Sequence, residues 1–245
     1  MTREEDANRA DAEYRMQDYY HKLSAVCFPT LFISLTEEEI ASLASGSKEG
    51  PVVDGVVDRI GGAVKNLPRP RFVSVDSFAP KDTERFREKR GAVSSAKSIW
   101  SVLAGSEKVR KAAEEGRVSN IVIRPFRRMD VAREFRLFIR SGKFVGMTQY
   151  HLVRHFRRLV EREKEYMLLA ESFVKKIAPF LPAEDIVADI YITHTRRVIL
   201  VDLNKWGKET DPLMLKWEDL QSTEKPLYGI VPPPRKISGK VEVKF

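Results

Sequence analysis

The spacing of apolar residues along the chain predicts both helices and strands. In residues 157–177 apolar residues recur at every third and fourth position, which is the pattern of an amphipathic helix. In residues 133–152 and 185–204 they alternate with polar residues or form short runs around turn residues, which is the pattern of two β-hairpins. The order of strand, hairpin, long helix and hairpin predicts an α+β fold with antiparallel sheets.

Shorter segments complete the predicted arrangement. A proline excludes a helix interior in residues 25–35, and Thr36, which is followed by three acids, is a helix N-cap. We predict further helices at residues 4–20, 52–67, 94–116 and 213–220, and further strands at residues 71–75 and 120–126.

Two acids and an amide close the second hairpin. If residues 185–204 fold with their tip at residues 195–196, Asp189 lies opposite Asp202, and Asn204 shares the face of Asp202. Carboxylates directly opposite each other repel. Three explanations stay open: the acids are exposed at an edge, they pair with arginines, or they surround a cation such as Mg²⁺, which prefers oxygen ligands. A tip shifted by one residue would turn Asp189 to the other face.

The composition of the chain limits the classes of function that we expect. The chain has 245 residues, a formal net charge of +8 and 32% charged residues, which is typical of a soluble protein. No apolar run is long enough to span a membrane and the chain does not begin with a secretory signal, so we expect a cytoplasmic protein without membrane association. The single cysteine, Cys27, excludes an internal disulfide and a Cys-based zinc site. The positive charge would suit RNA, although solvated basic faces explain it more simply.

Seven short segments within residues 17–222 stand in an informative order. They are FAPKD (78–82), IVIRPF (121–126), EFRLFI (134–139), GKFVGMTQ (142–149), ADIYI (188–192), ILVDLN (199–204) and PLMLKWEDL (212–220). The set resembles the cell division cycle protein 123 family, which belongs to the ATP-grasp superfamily, and the order of the segments makes the resemblance specific. It implies an ATP-grasp fold, in which two α+β lobes with antiparallel sheets enclose a nucleotide cleft.

We divide the chain accordingly into three regions. An N-terminal lobe, residues 1–117, includes the charged N-terminal helix. A C-terminal ATP-grasp lobe occupies residues 118–222, and a basic, proline-rich tail occupies residues 223–245.

The resemblance implies ATP as a ligand. The RPFR segment, residues 124–127, would be the hinge between the lobes, whose backbone reads the adenine edge. Glu134 would accept hydrogen bonds from the ribose hydroxyls. Lys81 would face a phosphate, with a backbone contact at Ala79 beside it. The complete set of implied nucleotide-binding residues is Ala79, Lys81, Arg124, Pro125, Phe126, Arg127, Glu134 and Arg136.

The resemblance also implies Mg²⁺, with Asp189, Asp202 and Asn204 as its ligands, which is one of the three explanations left open for the hairpin acids. Taken singly, the implied site residues have plainer explanations. Arg124 could pair with Glu134, and Glu134 and Arg136 could form a surface ladder on one strand face.

The chain departs from the family pattern at two phosphate-binding positions. Where the family carries a cation on the strand before APKD, this chain has Ser74, which donates one hydrogen bond but brings no charge. Where the family carries a basic residue after the Gln of the second hairpin strand, this chain has Tyr150. The candidates for compensation are His151, Arg154 and Arg71.

Two functions fit these residues. The family resembled promotes assembly of eukaryotic translation initiation factor two, so the first is an ATP- and Mg²⁺-binding assembly factor with a gamma-like subunit as its partner. Missing phosphate cations suit a binding protein better than a catalyst. The second is an ATP-grasp ligase, or a nucleotidyl or phosphoryl transferase, that acts on RNA or a carboxylate.

Overall fold

The computed structural model describes residues 14–76 and 78–234. The helices are α1 (Met16–Leu23), α2 (Glu37–Ala44), α3 (Pro51–Ala63), α4 (Glu84–Glu88), α5 (Ala96–Ala104), α6 (Glu107–Glu114), α7 (Arg157–Glu161), α8 (Glu163–Ile177) and α9 (Trp217–Ser222). The strands are β1 (Leu31–Ser34), β2 (Arg71–Val75), β3 (Asn120–Pro125), β4 (Glu134–Arg140), β5 (Lys143–Gln149), β6 (Ile186–Ile192), β7 (Val198–Lys205) and β8 (Leu227–Gly229). The start of the predicted helix at residues 4–20 and the tail beyond residue 234 lie outside the described residues.

The first of two compact units is built around a three-stranded antiparallel sheet. Its residues are Met1–Met129, Phe180–Pro182 and Ile199–Leu203. The strand order is β1-β3-β2, and Ile123 of the central strand lies opposite both Leu31 and Val73. Apolar side chains of α2, α3, α5 and α6 form one buried core with this sheet. Burial of this core stabilises the unit because each fully buried aliphatic side chain contributes roughly 1.5–3 kcal/mol.

Hydroxyl side chains fix where the helices of this unit begin. Thr36 forms a capping box with Glu39, in which the Glu39 N–H donates to the Thr36 hydroxyl (3.3 Å) and the Thr36 N–H donates to the Glu39 carboxylate (2.9 Å). At the start of α5 the Ser95 hydroxyl accepts from the Ser98 N–H, and at the start of α6 the Ser106 hydroxyl accepts from the Val109 N–H. The predicted N-cap at Thr36 is therefore confirmed.

Residues 118–129, which the predicted division assigned to the second lobe, lie in the first unit. The physical reason is the sheet: β3 hydrogen-bonds on both sides, to β1 and to β2, and both of these strands precede residue 117.

The second compact unit contains a five-stranded sheet with the order β7-β6-β4-β5-β8. Its residues are Asp130–Pro179, Ala183–Val198 and Asn204–Phe245. The pairs β4–β5 and β4–β6 are antiparallel and β5–β8 is parallel, so the sheet is mixed rather than purely antiparallel. Strand β8 comes from the region predicted as a tail. An aromatic cluster of Phe138, Trp206 and Trp217 lies in the core of this unit, with ring centroids 5.0–6.3 Å apart.

The hairpin of β4 and β5 confirms the prediction for residues 133–152. Arg140 pairs with Lys143, and Ser141 and Gly142 form the two-residue turn between them with φ angles of 50° and 69°. Positive φ at both positions matches the twist of the flanking strands.

The tip of the second hairpin differs from the prediction by one residue. The Thr193 N–H donates to the Arg197 carbonyl (2.9 Å) and the Arg196 N–H donates to the Thr193 carbonyl (3.0 Å), which closes a three-residue turn. Arg196 has a φ of 64°, the left-handed conformation that ends such a turn. The predicted two-residue tip at residues 195–196 is therefore wrong, because a left-handed residue adds one position to the loop.

The amphipathic pattern of residues 157–177 forms two helices, α7 and α8. Arg162 between them has φ −112° and ψ 14°, outside the helical range. Among the residues the structure describes, no helix combines the length and apolar character that crossing a bilayer requires.

Candidate functional site

A pocket in the first unit is lined by aromatic rings and guanidinium groups. Its volume is about 180 Å³. Its lining consists of Phe28, Phe72, Arg90, Arg124, Pro125, Phe126, Arg127, Met129 and Val201. No acidic residue stands among these described lining residues, so the pocket carries a net positive charge. All four residues of the predicted hinge segment line it.

The pairing of β2 with β3 positions the centre of the pocket. Phe72 lies opposite Arg124, and the Arg124 guanidinium carbon lies 5.3 Å from the centroid of the Phe72 ring. Nη1 of Arg124 also donates to the Val201 carbonyl (3.2 Å). These contacts fix the guanidinium at the wall of the pocket.

The backbone of the predicted hinge segment has fewer groups for a ligand than the resemblance implied. Pro125 has no N–H, and the Phe126 N–H donates to the Pro70 carbonyl (2.9 Å). Neither of these two positions therefore offers a backbone N–H to an adenine edge.

Asp202 and Arg124 both act on the buried thiol of Cys27 in the same unit. Burial raises the pKa of the Cys27 thiol to about 12, the positive charge of Arg124 opposes this rise, and the negative charge of Asp202 adds to it. Oδ1 of Asp202 accepts a hydrogen bond from the Leu203 N–H (3.0 Å).

In the second unit, Asp189 forms a buried ion pair with Arg136. Arg136 donates from Nε to Oδ1 (2.8 Å) and from Nη2 to Oδ2 (2.9 Å), and Nη1 donates to the Asp211 carbonyl (2.7 Å). The two residues stand directly opposite each other on β4 and β6. Burial acts to lower the pKa of Arg136, but the hydrogen bonds and charge of Asp189 outweigh it, so the pKa lies above its usual value. Of the three explanations left open, arginine pairing therefore describes Asp189.

Asn204 completes the surroundings of this carboxylate, because its Nδ2 donates to Oδ2 of Asp189 (3.2 Å). In residues 14–76 and 78–234 no group of three or more His, Cys, Asp and Glu side chains is arranged to hold a metal ion. Asp189 fits a metal only if an ion shares its oxygens with the guanidinium, which like charge disfavours. The assignment of Asp189, Asp202 and Asn204 as metal ligands stays a prediction.

Glu134 and Tyr150 lie near this pair along the sheet. Glu134 contacts Nε2 of His151 (3.1 Å), and its carbonyl accepts from the Tyr150 N–H (3.1 Å). The Tyr150 ring lies 5.3 Å from the Arg136 guanidinium carbon. An aromatic ring thus stacks on Arg136 at one of the two positions where the resemblance implies a cation.

Two of the residues considered for compensation are already engaged. Arg71 is 2% exposed and donates to the carbonyls of Val64, Leu67 and Ser94. His151 contacts Glu134, as described above. The third candidate, Arg154, stacks on Phe156 at 4.9 Å.

Lys81 and Ala79 lie in the loop between β2 and α4 in the first unit. The Lys81 N–H donates to the Ala79 carbonyl (2.8 Å), and the Lys81 side chain is exposed. Asp82 anchors the loop by accepting from the Ser106 hydroxyl (2.5 Å) and the Lys108 N–H (3.2 Å).

A second, more open pocket of about 460 Å³ lies in the second unit and contains the basic cluster of Arg154, Arg157 and Arg158. Arg158 donates to both oxygens of Asp130 (2.6 and 2.5 Å), and Arg157 pairs with Glu161 (2.8 Å). Two of its three arginines are therefore neutralised within the chain.

The first pocket includes residues that the motifs did not indicate. These are Phe28, Phe72, Arg90, Met129 and Val201. Phe72 alone carried a signal, since it precedes Ser74 by two positions on a predicted strand and so shares its face.

Comparison with known proteins identifies a family model and related sequences. The family model D123 matches residues 78–243. Cell division cycle protein 123 of Eremothecium gossypii is 32% identical over 156 residues, which are 58% of this chain and 44% of that protein. A translation initiation factor eIF2 assembly protein of Danio rerio is 30% identical over 103 residues, 42% of this chain and 30% of its own length. The chain spans less than half the length of these relatives.

Solved structures share the fold. Cdc123 from Schizosaccharomyces pombe superposes with a TM-score of 0.77 over 90% of this chain and 96% of that chain, at 20% identity. Its C-terminally truncated form gives a TM-score of 0.78 over 92% and 98%. At this identity the likeness concerns the fold alone, and it confirms the predicted α+β class. Because the family model matches more than half of the chain, this protein belongs to the D123 family, the cell division cycle protein 123 family that its motifs predicted.

Proposed function

We propose that this protein binds ATP in the pocket of its first unit and acts in the cytoplasm as an assembly factor for a translation initiation factor two complex, with the gamma-like subunit as its partner. The observation that carries the proposal is the pocket, which combines aromatic rings, three arginines and the hinge segment in one cavity. The names of the relatives, several of which are eIF2 assembly proteins, support the choice of partner.

The chemistry of the lining suits a nucleotide. A purine base stacks on aromatic rings and on guanidinium planes, which Phe28, Phe72 and Arg124 offer. Phosphate oxygens accept charge-assisted hydrogen bonds from arginine, and these are about twice as strong as neutral ones. Arg127 forms no ion pair with any residue that the structure describes, so its charge is available to a ligand.

Mg²⁺ belongs to the proposal through the family resemblance. When bound, it would neutralise phosphate charge. The predicted ligands are Asp189, Asp202 and Asn204. Since Asp189 is committed to Arg136, we derive no further step from the ion.

Calorimetric titration of the protein with ATP, with and without Mg²⁺, tests nucleotide binding. We expect Arg124→Ala to weaken ATP binding about tenfold or more, because one charge-assisted contact and one stacking plane are lost. Arg157→Ala is the matched control, since it removes the same charge from an exposed helix position outside the first pocket, where Arg157 pairs with Glu161. Equal ATP affinity in both variants, or no ATP binding by the parent protein, would contradict the pocket assignment.

Two further measurements test the rest of the proposal. Incubation with ATP and Mg²⁺ should release little ADP or AMP, whereas label transferred to RNA or a carboxylate substrate would favour the ligase or transferase alternative. A purified initiation factor two gamma subunit should bind the protein more tightly in the presence of ATP. Failure to bind that subunit in either condition would refute the assembly role.

A further inference from the structure

Arg90 occupies an unusual backbone position beside the pocket. Helix α4 ends in a Schellman motif, in which the Gly91 N–H donates to the Phe86 carbonyl (2.7 Å) and the Arg90 N–H donates to the Arg87 carbonyl (3.2 Å). Arg90 is the left-handed residue of this motif, with a φ of 51°. Glycine usually fills this position because a side chain costs roughly 1–2 kcal/mol in that conformation.

The surroundings of the turn hold Arg90 close to β2. Arg71 and Val93 exchange two backbone hydrogen bonds (2.7 and 2.8 Å), so the chain after Arg90 runs along the start of β2. The rings of Phe72 and Phe86 pack edge to face at 5.8 Å. A Cβ at Gly91 would meet both rings, at 2.8 Å from Phe86 and 3.2 Å from Phe72, so the turn packs tightly against them.

The Arg90 side chain lines the pocket and has no ion-pair partner within the described ranges. Arg124 of the same pocket is fixed by the Phe72 ring and the Val201 carbonyl. Water solvates this exposed guanidinium, so its charge is free to meet a ligand, and strained backbone conformations such as that of Arg90 cluster at ligand-binding sites.

The position of Arg90 relates to a cation that the chain lacks. The resemblance implies a phosphate-binding cation at the position of Ser74, and alternation along β2 puts Ser74 on the same strand face as Phe72. Ser74 is 4% exposed and brings no charge. The turn that carries Arg90 packs against Phe72, so Arg90 delivers a positive charge to the pocket on that face.

We propose that Arg90 is a phosphate-binding residue of the nucleotide pocket. This inference rests on the proposed function, because it assigns a residue to the same site. It names the phosphate chain, rather than the base, as the part of the ligand that Arg90 recognises.

Arg90→Gly removes the charge of the side chain and preserves the backbone conformation of the turn. Glycine adopts the left-handed conformation without strain, so the variant should fold with an unchanged or slightly higher melting temperature. Lys89→Ala is the matched control: it removes the same charge one residue earlier, at an exposed residue that does not line the pocket. Arg90→Lys keeps a charge at the site.

Calorimetry with two probes, ATP and adenosine, gives the readout. We expect Arg90→Gly to weaken ATP binding about tenfold and to leave adenosine binding unchanged, because one charge-assisted hydrogen bond to phosphate is lost. Lys89→Ala should bind both probes as the parent does, and Arg90→Lys should lose less ATP affinity than Arg90→Gly.

The outcomes separate this inference from the function on which it rests. If the parent binds ATP and Arg90→Gly binds it equally well, Arg90 is not a phosphate ligand although the pocket assignment stands. An equal loss of ATP and adenosine affinity would also overturn the inference, because Arg90 would then act on the base. If the parent binds neither probe, the nucleotide pocket itself is wrong.

Discussion

Replacement of Asp189 by asparagine tests the physical role of the buried carboxylate in the second unit. The aspartate and asparagine side chains are nearly isosteric, so the replacement removes the charge and little else. Arg136 would keep its bond to the Asp211 carbonyl and could donate one hydrogen bond to the new amide oxygen. Its positive charge would nevertheless lose the carboxylate that neutralises it.

The burial of the pair sets the magnitude. The Arg136 and Asp189 side chains are 9% and 10% exposed, so solvent screens the unpaired charge poorly. Breaking a buried pair by removing one partner costs roughly 3–5 kcal/mol. Because Arg136 retains other acceptors, we expect about 3 kcal/mol, a large part of a typical domain stability of about 5–15 kcal/mol. In a chain of this size the melting temperature should fall by roughly 6–12 °C.

Thermal unfolding followed by tryptophan fluorescence measures this effect, since Trp206 and Trp217 report on the core of the second unit. Asp58→Asn, which changes an exposed carboxylate on α3 in the same way, should melt within 1–2 °C of the parent, as is usual for roughly ±0.5 kcal/mol at the surface. If Asp189→Asn melts like the control and Mg²⁺ no longer affects its ATP binding, Asp189 is a metal ligand and the ion-pair reasoning is refuted.

Three further outcomes follow from the structure. Burial raises the pKa of the Cys27 thiol from 9.0 to about 12, so the contribution of the protonated thiol to stability is complete below pH 9 and is lost as the pH rises towards 12. In urea titrations the free energy of unfolding of Cys27→Ala should therefore fall by about 1 kcal/mol less than that of the parent between pH 8 and 10. Thr36→Ala should lower the free energy of unfolding by about 1 kcal/mol, with no effect on ATP affinity, because α2 loses its capping box. Phe138→Ala should cost roughly 3–5 kcal/mol and shift the emission of Trp217, since Phe138 is fully buried with its ring centroid 5.7 Å from that of Trp217. The packing argument for Phe138 would be contradicted if Phe138→Ala lowered the free energy of unfolding by less than about 1 kcal/mol. A changed ATP affinity in Thr36→Ala would contradict a purely structural role of the cap. Identical pH profiles of stability for Cys27→Ala and the parent would contradict the role of the buried thiol.

Local patterns in the sequence predicted the elements well where the turn chemistry is simple. Alternation around Ser141 and Gly142 predicts the hairpin of β4 and β5, and Gly142 takes one of the two positive φ angles of its turn without strain. The tip of the second hairpin was misplaced by one residue because Arg196 takes a left-handed conformation that arginine rarely adopts.

The environment of Asp189 shows what local patterns omit. Alternation within residues 185–204 relates Asp189 only to the other strand of its own hairpin. The residue that neutralises Asp189 is Arg136 of β4, which precedes it in the chain by 53 residues. The sequence left three explanations open because it does not state which strand lies on the other side of β6. The order of strands in the sheet places Arg136 opposite this carboxylate.

The amino-acid sequence by itself determined the α+β class, the capped helices, the first hairpin and the family, because these depend on residues that are neighbours in the chain or on motifs in a fixed order. Only the tertiary structure decided that Arg136 neutralises Asp189, that Phe28 and Arg90 line the pocket with the hinge segment, and that β3 belongs to the first unit. These facts depend on strand order and on the conformation of single turn residues, which arise from packing over long stretches of chain and leave no periodic signal in the sequence.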